Sequence, residues 1–497
     1  MRKPSKKMNI NVILTCDATL MSNHHGKEFL GFGTSAPPNW IPEWLYKWLF
    51  FPRMKKINGL PWQAPYGLRK LEAKLIDEGI NALVLSPDDL GRYEAKVIGI
   101  YVMDAFGWGP SSTTFAGIMG TGEPYLAKYF RKLLESRGYK KLKERGAKTI
   151  VGGPAAWQFK YKPDFMEKYG IDCVFDGEGE MAIELIKKAI EGEEIPKFYE
   201  INEAPPLEEI SEIKRASING LVEIGRGCPR KCKFCSVTLR PLRWYPLEKI
   251  EKEIKVNVNA GVEGGILHAE DVLLYGQRGV VPNEEKLIKL HKMAKKHYES
   301  LAWSHASFAA VAAKPKLIEK LAEIICDEKQ DWWGAEMGIE TGSPRLMKKI
   351  MPAKAKPFKP EEYPDVVREA AGILTDNNMI PACTLIAGLP EEEEEDVIKT
   401  IELIEDLKDF KALIVPLFFV PMGKLKDRDW FKKEEMKEIH KELLIKCMKH
   451  DMMWIKKIAN EYFGKKKKLL FLKPFYILFT KIVEWQAKKK GIFNSMD

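Results

Sequence analysis

Near the middle of the chain stands the stretch Gly227-Cys-Pro-Arg-Lys-Cys-Lys-Phe-Cys235, which directly follows an apolar run at 221–224. Its three cysteines, Cys228, Cys232 and Cys235, place three thiolates in one short loop, where each can hold a different iron of a cubane cluster. The fourth iron then has no protein ligand and is open to a chelating substrate, just as catalytic metal sites keep a vacant position.

The alternatives for this loop are a zinc knuckle or three unrelated thiols. Zinc sites normally close with four ligands, and the remaining cysteines are scattered singly through apolar segments. These are Cys16, Cys173, Cys326, Cys383 and Cys447. Eight cysteines in 497 residues do not make a disulfide scaffold, so we expect free or metal-bound thiols in a reducing cytoplasm. The start of the chain does not read as a secretory signal, and no stretch reaches 18 clean apolar residues.

Apolar runs alternate with helical patterns on both sides of the cysteine loop. Downstream, six runs predict strands of a partial parallel α/β barrel with its site at the strand C-termini; they lie at 221–224, 265–268, 302–305, 333–340, 382–388 and 413–417. Upstream, runs at 11–15, 81–85, 96–102 and 148–151 predict a doubly wound parallel sheet, which binds ligands beyond the carboxyl ends of its strands. The last of these leads into Gly152-Gly153-Pro154, a sharp turn where a ligand could approach.

Composition divides the chain into four segments: an α/β domain at 1–195, a Pro- and Glu-rich linker at 196–219, the barrel at 220–429 and a helical basic extension at 430–497. The net charge of +10 comes mostly from this extension, so a uniformly basic surface that coats nucleic acid is excluded. Within the extension, Lys465 to Lys468 precede an apolar, aromatic stretch at 469–479. Packing on the barrel, contact with a membrane surface and an acidic protein partner all remain open.

With its aromatic residue before the last cysteine, Phe234, the loop resembles that of the radical S-adenosylmethionine (SAM) superfamily. The resemblance implies a 4Fe–4S cluster on Cys228, Cys232 and Cys235 that binds SAM. Gly338-Ile-Glu-Thr-Gly-Ser343 is similar to the family's fourth-strand segment, where Glu340 would meet the SAM ribose and Ser343 would lie beside it. Ile386-Ala-Gly-Leu-Pro390, with Gly388, is similar to the fifth-strand segment that lines the adenosine.

His268-Ala-Glu270-Asp271 stands where the family contacts the methionine amino group of SAM. It departs from the family's usual double glycine and glutamate, so Glu270 and Asp271 are both candidates for that contact. A carboxylate suits a cationic amine. Several aromatic and histidine residues near the predicted barrel strands could frame a substrate pocket or pack in the core; these are Trp303, His305, Trp332, Trp333, His268 and Tyr275.

Val151-Gly-Gly-Pro154 and Asp172-Cys-Val-Phe-Asp-Gly-Glu-Gly-Glu180 resemble the cobalamin-binding domain fused to many radical SAM enzymes. The resemblance implies that the nucleotide tail of cobalamin lies against Gly152 and Gly153, and that the loop from Asp104 to Trp108 faces the corrin. The lower-ligand motif Asp-x-His-x-x-Gly is absent, because Asp17, His24, His25 and Gly26 have the wrong spacing. We therefore expect cobalt without a histidine ligand.

The resemblance as a whole implies a cobalamin-dependent radical SAM methylase that acts on an unactivated carbon, reduced by an electron donor such as ferredoxin or flavodoxin. The Lys- and Glu-rich, archaeal-looking composition is similar to that of enzymes that C-methylate residues of methyl-coenzyme M reductase, such as its glutamine. A lipid or small metabolite is the competing substrate, and a nucleic-acid partner is not expected.

Several other classes of protein remain as alternatives. A radical SAM enzyme that rearranges or oxidises its substrate shares every motif. A methylthiolating RNA enzyme, or a lipid-crosslinking enzyme with auxiliary clusters, is disfavoured by the cysteine count, because only Cys16 and Cys173 lie upstream of the loop. A non-enzymatic module that binds cobalamin or an iron–sulfur cluster would not cleave SAM.

Overall fold

A computed structural model describes residues 10–36, 41–119 and 122–465, together with Pro474, Ile477, Leu478, Lys481 and Trp485. Its chain divides into two compact units. The first comprises residues up to 226, 240–268 and 292–301, and the second comprises 227–239, 269–291 and residues from 302 onward. The lysine cluster at 465–468 and the apolar stretch at 469–479 lie almost wholly outside the described residues. Among the helices that are described, none is long and apolar enough to cross a membrane.

The N-terminal part of the first unit is built on a six-stranded parallel sheet with the order β4-β1-β5-β6-β7-β8, and β2 and β3 form a separate antiparallel pair. The strands are β1 (Val12–Cys16), β2 (Lys56–Ile57), β3 (Leu60–Pro61), β4 (Ala82–Val84), β5 (Val97–Tyr101), β6 (Lys148–Gly152), β7 (Cys173–Asp176) and β8 (Phe198–Glu200). The helices are α1 (Glu43–Phe50), α2 (Tyr66–Asp77), α3 (Pro110–Met119), α4 (Tyr125–Glu135), α5 (Arg137–Glu144), α6 (Pro163–Tyr169) and α7 (Ile183–Glu191).

Both faces of this sheet are covered. Every residue of β1 is buried. Its side chains alternate between two separate hydrophobic cores, with Ile13 in one and Val12 and Leu14 in the other. Such a continuous apolar strand is typical of a parallel sheet with helices on both faces. The four upstream strands predicted from the sequence are therefore confirmed, and they belong to a doubly wound sheet.

The rest of the first unit adds shorter strands and the helix α8 (Leu247–Asn259). The strands are β9 (Leu221–Glu223), β10 (Gly225–Arg226), β11 (Arg243–Trp244), β12 (Gly264–His268) and β13 (Ser300–Trp303). A three-stranded sheet has the order β13-β12-β9, with β9 and β12 parallel, and β10 pairs antiparallel with β11. Along β13 and the preceding helix α9 (Glu284–His297), the chain passes between the two units.

The second unit contains a four-stranded parallel sheet with the order β14-β15-β16-β17. Its strands are β14 (His305–Ala306), β15 (Glu336–Glu340), β16 (Ala382–Ala387) and β17 (Leu413–Phe418). Its helices are α10 (Phe308–Ala313), α11 (Pro315–Ile325), α12 (Pro344–Ile350), α13 (Tyr363–Asp376), α14 (Glu394–Asp406) and α15 (Glu438–Lys465). All six downstream strand predictions are confirmed as strands, in one three-stranded and one four-stranded sheet.

Candidate functional site

The cysteine loop lies in the second unit and is fixed by its own main chain. Cys232 is buried, whereas Cys228 and Cys235 are half-buried. The Cys235 amide donates to the Cys232 carbonyl at 3.2 Å, and the Thr238 hydroxyl donates to the Cys235 carbonyl at 2.8 Å. Lys231 between the cysteines has a φ of 53°, in the left-handed region that a tight turn requires. The three thiols are thus held in a preformed turn.

Two neighbouring segments clasp this loop. The Lys233 amide donates to the carbonyl of Ile350 at the end of α12, and the Lys424 amide donates to the Lys233 carbonyl at 2.8 Å. Gly423 packs so closely that an added Cβ would lie 2.8 Å from the Cys235 carbonyl oxygen. The loop is therefore supported by segments that lie 100 to 200 positions away in the chain.

Arg230 anchors the loop from inside and was missed in the sequence, where no signal distinguishes it from a solvated arginine. Its side chain is only 3% exposed. Its Nε donates to Asp271 Oδ2 at 3.1 Å, and one Nη donates to the Ser307 hydroxyl at 2.7 Å. The other Nη donates to the carbonyls of Lys354 and Lys356 at 2.9 and 3.0 Å. A buried charge with this many partners is costly to disturb, because removal of one partner leaves the other uncompensated.

The thiols of this loop fit a cubane better than a single metal ion. Within the described residues, no three His, Cys, Asp or Glu side chains are arranged to hold one ion. A cubane does not need such convergence, because each thiolate binds its own iron. Burial raises the pKa of the Cys228 thiol to about 12. Burial, and to a lesser extent the Glu270 carboxylate, raises the pKa of Cys235 to about 11. The free thiols are therefore neutral, and metal binding must displace their protons.

Both carboxylates of the His268–Asp271 motif lie near the cysteine loop. Asp271 is 2% exposed, and its Oδ2 accepts hydrogen bonds from Arg230 and from the Ser307 hydroxyl. Its Oδ1 is buried without a hydrogen-bond partner among the described residues. Glu270 is half-buried. A buried orphan oxygen is costly unless a ligand supplies the donor, so Asp271 Oδ1 is suited to accept from a bound amine.

Glu340 ends β15 with a φ of 65° and has both carboxylate oxygens occupied. Lys354 Nζ donates to its Oε1 at 2.8 Å, and the Thr384 hydroxyl donates to its Oε2 at 3.2 Å. Burial alone would lower the pKa of Lys354, but the Glu340 carboxylate outweighs it and raises this pKa. The positive charge of Lys354 also acts on the buried Cys232 thiol and so opposes the rise that burial causes in its pKa. The structure thus brings Glu340 and the cysteine loop together around one buried lysine.

Ser343 and Gly388 occupy the loops that follow β15 and β16. Ser343 caps the N-terminus of α12, where its side chain accepts from the Leu346 amide and donates to Asp396. Gly388 has a φ of 78°, and an added Cβ would lie 1.9 Å from the ring of Phe431. The predicted SAM-binding positions therefore lie at the carboxyl ends of this unit's strands, where parallel sheets place ligand sites.

Two further predicted residues, Gly153 and Asp104, lie at the carboxyl edge of the first sheet. The local contacts of each explain why it is needed there. Gly153 has a φ of 117°, and an added Cβ would lie 2.6 Å from the Val102 carbonyl oxygen, whereas one on Gly152 would meet its nearest neighbour at 3.4 Å. The turn after β6 thus requires glycine at 153 for the backbone itself. Asp104 is 3% exposed and caps its own loop, because its carboxylate accepts from the Trp108 and Gly109 amides and from Gln158.

The histidines after β1 hold the end of α1. A ring nitrogen of His24 lies 2.6 Å from the Phe50 carbonyl oxygen, and one of His25 lies 2.7 Å from that of Trp48. Burial lowers the pKa of His24. These contacts account for the pair without a metal.

A second buried ionic cluster, also missed in the sequence, lies within the first unit. The Arg226 guanidinium donates to Glu178 at 2.6 Å, to Glu180 at 2.8 Å and to Glu223 at 2.9 Å. Arg243 also donates to Glu178. Glu178 and Glu180 follow β7, whereas Arg226 and Arg243 belong to the β10–β11 pair. The cluster therefore links the carboxyl edge of the doubly wound sheet to the β10–β11 pair. In the sequence, β10 precedes the cysteine loop and β11 follows it.

Comparisons with known proteins identify the central part of the chain. Residues 222–404 match the family model of the radical SAM superfamily. These residues form a radical SAM domain.

The sequence relatives of the chain include tRNA-modifying enzymes. The probable threonylcarbamoyladenosine tRNA methylthiotransferase of Methanocaldococcus jannaschii is 22% identical over 71% of this chain and 79% of the relative. The tRNA-2-methylthio-N(6)-dimethylallyladenosine synthase of Thermotoga petrophila is 24% identical over 74% of this chain and 78% of the relative. These identities are too low to transfer a substrate.

Among solved structures, the chain is similar to the radical SAM methyltransferase TsrM from Kitasatospora setae with tryptophan substrate and a SAM analogue bound. The TM-score is 0.54 at 14% identity, with 81% of this chain and 72% of that chain covered. A second TsrM structure, with cobalamin and a [4Fe–4S] cluster bound, gives a TM-score of 0.53 over 84% of this chain and 74% of that chain. At this identity the likeness is one of fold, and it supports the predicted parallel α/β class.

The aromatic and histidine residues predicted to frame a substrate pocket fall into two groups, one buried in the core and one half-buried. Trp303 and Trp333 are 3% and 1% exposed, and both indole N–H groups are satisfied internally, by His291 and by the Asn377 carbonyl. Tyr275 is also buried. These three residues pack in the core. His268, His305 and Trp332 are half-buried and remain candidates for substrate contact.

Asp17, which follows β1, gives the first sheet a testable pH dependence. It is 1% exposed and accepts hydrogen bonds from the Thr19 amide and hydroxyl, but burial raises its pKa from 3.8 to about 6. The folded state therefore binds the Asp17 proton more tightly than the unfolded state does. Protonated Asp17 thus contributes to the free energy of unfolding below about pH 4, and this contribution is lost as pH rises through 6. We expect Asp17→Asn to be more stable than the parent, with an advantage at pH 8 that exceeds the one at pH 5 by about 1 kcal/mol in urea unfolding.

The matched control for this experiment is Asp77→Asn. Burial acts to raise the pKa of Asp77, but the hydrogen bonds from Lys214 at 2.6 Å and from Ser211, with the positive charge of Lys214, together lower it. Asp77→Asn should therefore lower the free energy of unfolding at neutral pH, whereas Asp17→Asn should raise it. Loss of stability at pH 8 in Asp17→Asn would contradict the assignment.

Proposed function

We propose that this protein is a cobalamin-dependent radical SAM methyltransferase that methylates an unactivated carbon. The observation that carries the proposal is the conjunction of the clasped three-cysteine loop with the Asp271 and Glu340 carboxylates in the second unit. In this proposal, residues 220–429 are the partial (β/α)6 barrel of a radical SAM enzyme, since the family match spans most of that range. Residues 1–195 are the cobalamin-binding domain, 196–219 the linker and 430–497 a helical basic extension.

In this proposal the residues of the second unit hold the cluster and SAM. Cys228, Cys232 and Cys235 are the ligands of a 4Fe–4S cluster, and Arg230 keeps their loop in position. Asp271 Oδ1 or Glu270 accepts from the SAM amino group, and Glu340 accepts from its ribose. Gly388 belongs to the loop after β16 that lines the adenosine, and Ser343 fixes the start of α12 through Asp396. Together the cofactors supply a 5′-deoxyadenosyl radical and a methyl group, while the buried side chains exclude water.

The first unit is proposed to bind cobalamin at the carboxyl edge of its sheet, as the TsrM likeness supports. Two large apolar side chains stand exposed near that edge, Met103 at 42% and Tyr161 at 62%. An apolar ligand such as a corrin ring would cover them. Gly152, Gly153 and Asp104 contribute by shaping the two loops that flank the edge. The histidine contacts with α1 are consistent with cobalt that lacks a histidine ligand.

The cysteines favour carbon methylation over methylthiolation, although the sequence relatives include methylthiotransferases. Upstream of the radical SAM loop stand only Cys16 and Cys173, which are both buried in strands of the first sheet. A second three-cysteine cluster therefore has no ligands there. As the substrate we propose a residue of a protein, for example a glutamine of methyl-coenzyme M reductase. A lipid or a small metabolite is the competing substrate.

The test is to reconstitute the protein anaerobically with iron, sulfide and cobalamin and to supply SAM with a deuterated methyl group. We expect 5′-deoxyadenosine and S-adenosylhomocysteine to form under strong reductant, and mass spectrometry of candidate peptides to find the deuterated methyl on carbon. Cleavage of SAM without methyl transfer would instead support a rearranging or oxidising enzyme. Absence of any SAM cleavage would leave only a binding module.

A further inference from the structure

Four exposed lysines lie within or beside the cysteine loop. Lys231 and Lys233 flank Cys232 within the loop, and their side chains are exposed although Cys232 is buried. Lys356 and Lys424 are also exposed. We refer to these four residues as the basic collar. All of them belong to the second unit.

The backbone of the collar is fixed to the loop. The Lys424 amide donates to the Lys233 carbonyl at 2.8 Å, and the Lys356 carbonyl accepts from Arg230 at 3.0 Å. Because these bonds run through the main chain and through Arg230, the backbone of all four residues is held within or beside the cysteine loop. The collar is thus an arrangement of the fold, made from three separated segments of sequence.

The collar charges are also uncompensated. Neighbouring lysines are paired, since Lys348 contacts Glu361 and Lys349 contacts Glu391. The collar lysines have no ion-pair partner among the described residues. In the sequence after Lys424, Asp427 and Asp429 alternate with Lys426 and Arg428, so the charge balance of this segment stays positive. Four unpaired like charges beside a buried redox site form a surface that attracts an anionic partner.

We propose that the basic collar is the docking surface for an acidic one-electron carrier protein. The proposal rests on the proposed function, because a cluster that cleaves SAM must first be reduced. One electron leaves the reduced carrier, which is oxidised by one electron, and enters the cluster, which is reduced by one electron; no bond or proton need be exchanged. A carrier on the collar stands against the same loop that holds the cluster ligands. Complementary charge there raises the rate of encounter and fixes orientation.

The alternative occupant of a basic surface is RNA. Nucleic-acid binding usually draws on many lysines and arginines along a backbone, each neutralising a phosphate. The collar has four charges confined to one loop environment, and the chain before the basic extension is almost neutral. A compact acidic protein therefore fits the collar better than an extended polyanion.

The experiment compares two charge-reversed proteins. The test variant carries Lys356→Glu and Lys424→Glu, the two collar residues that lie outside the cysteine loop. The control carries the same two changes at Lys314 and Lys316, which are exposed at the start of α11, a helix that holds no residue of the candidate site. Each reconstituted protein is titrated with reduced flavodoxin for binding, and SAM cleavage is measured with flavodoxin and separately with titanium(III) citrate.

We expect the test variant to bind flavodoxin at least about tenfold more weakly than the parent and to show a smaller salt dependence of that binding. Its iron content and its SAM cleavage with titanium citrate should equal those of the parent. The control variant should match the parent in both arms. If the parent cleaves no SAM with titanium citrate, the proposed function fails, but the binding titration still tests the collar.

Three results would overturn the proposal. Flavodoxin binding that the test variant retains at parental strength would show that the collar is not the docking surface. Equal loss of cleavage with both reductants would show that the lysines support the cluster loop itself. If the parent and the control variant bind transfer RNA at physiological salt and the test variant does not, the collar is an RNA-binding surface.

Discussion

Cys232→Ala is expected to abolish reductive cleavage of SAM, and Cys228→Ala and Cys235→Ala should each do the same. The three thiolates are the only cysteines that share a loop, and a cubane that lacks one of them loses the iron that is left open for substrate. Measured by 5′-deoxyadenosine release under titanium(III) citrate, each variant should fall to the background of the reductant. Iron per chain should fall from about four in the parent, the content of one cubane.

The controls for this prediction are two buried cysteines elsewhere in the second unit. Cys383 lies in β16 and Cys447 in α15, and burial raises the pKa of both thiols well above the usual value. Their replacement by alanine should leave iron content and SAM cleavage close to parental, apart from a modest loss of stability. About eight irons per chain in the parent would show that a second cluster exists and that the single-cluster assignment is wrong.

Local patterns in the sequence were sufficient to locate the strands and the cysteine loop. A buried parallel strand is a continuous apolar run, as in β1 and β5, and three cysteines in one loop are visible without any tertiary information. The predicted SAM positions Glu340, Ser343 and Gly388 likewise follow strands β15 and β16, as their motifs indicate. Their proposed roles stay predictions, but their placement at strand ends follows from chain order alone.

Long-range charge pairing could not be predicted in this way. Arg230 reaches Asp271, Ser307 and the 354–356 backbone, which are 41 to 126 positions away, and Arg226 reaches Glu178 across 48 positions. In sequence such residues are indistinguishable from the many solvated arginines and glutamates of a chain that is 30% charged. Only the packing shows which of these charges are buried and paired.

Gly153 illustrates a residue that the sequence singled out for an incomplete reason. The double glycine suggested a close approach of ligand, but the positive φ and the Val102 carbonyl already require glycine at this position. A substitution such as Gly153→Leu would therefore lower stability whether or not cobalamin binds nearby. The cobalamin site must be tested at residues whose replacement leaves the fold intact.

Met103→Glu meets that requirement and is expected to weaken cobalamin binding by about tenfold or more, about 1.4 kcal/mol. Met103 follows β5, next to Val102, whose amide donates to the Gly152 carbonyl at 2.9 Å. It is already 42% exposed, so a carboxylate there adds no buried charge in the absence of ligand. A corrin that covers the carboxyl edge would desolvate that carboxylate, and the cost would appear in the dissociation constant.

Met453→Glu on α15 is the control, because this methionine is 36% exposed and belongs to the other unit. It should bind cobalamin with the affinity of the parent, as measured by the absorbance change on titration with hydroxocobalamin. Iron content should be parental in both variants, since neither residue belongs to the cysteine loop. Parental cobalamin affinity in Met103→Glu, with the protein folded, would place the corrin away from the β5 edge, and the role proposed for the loop at 104–108 would then be wrong.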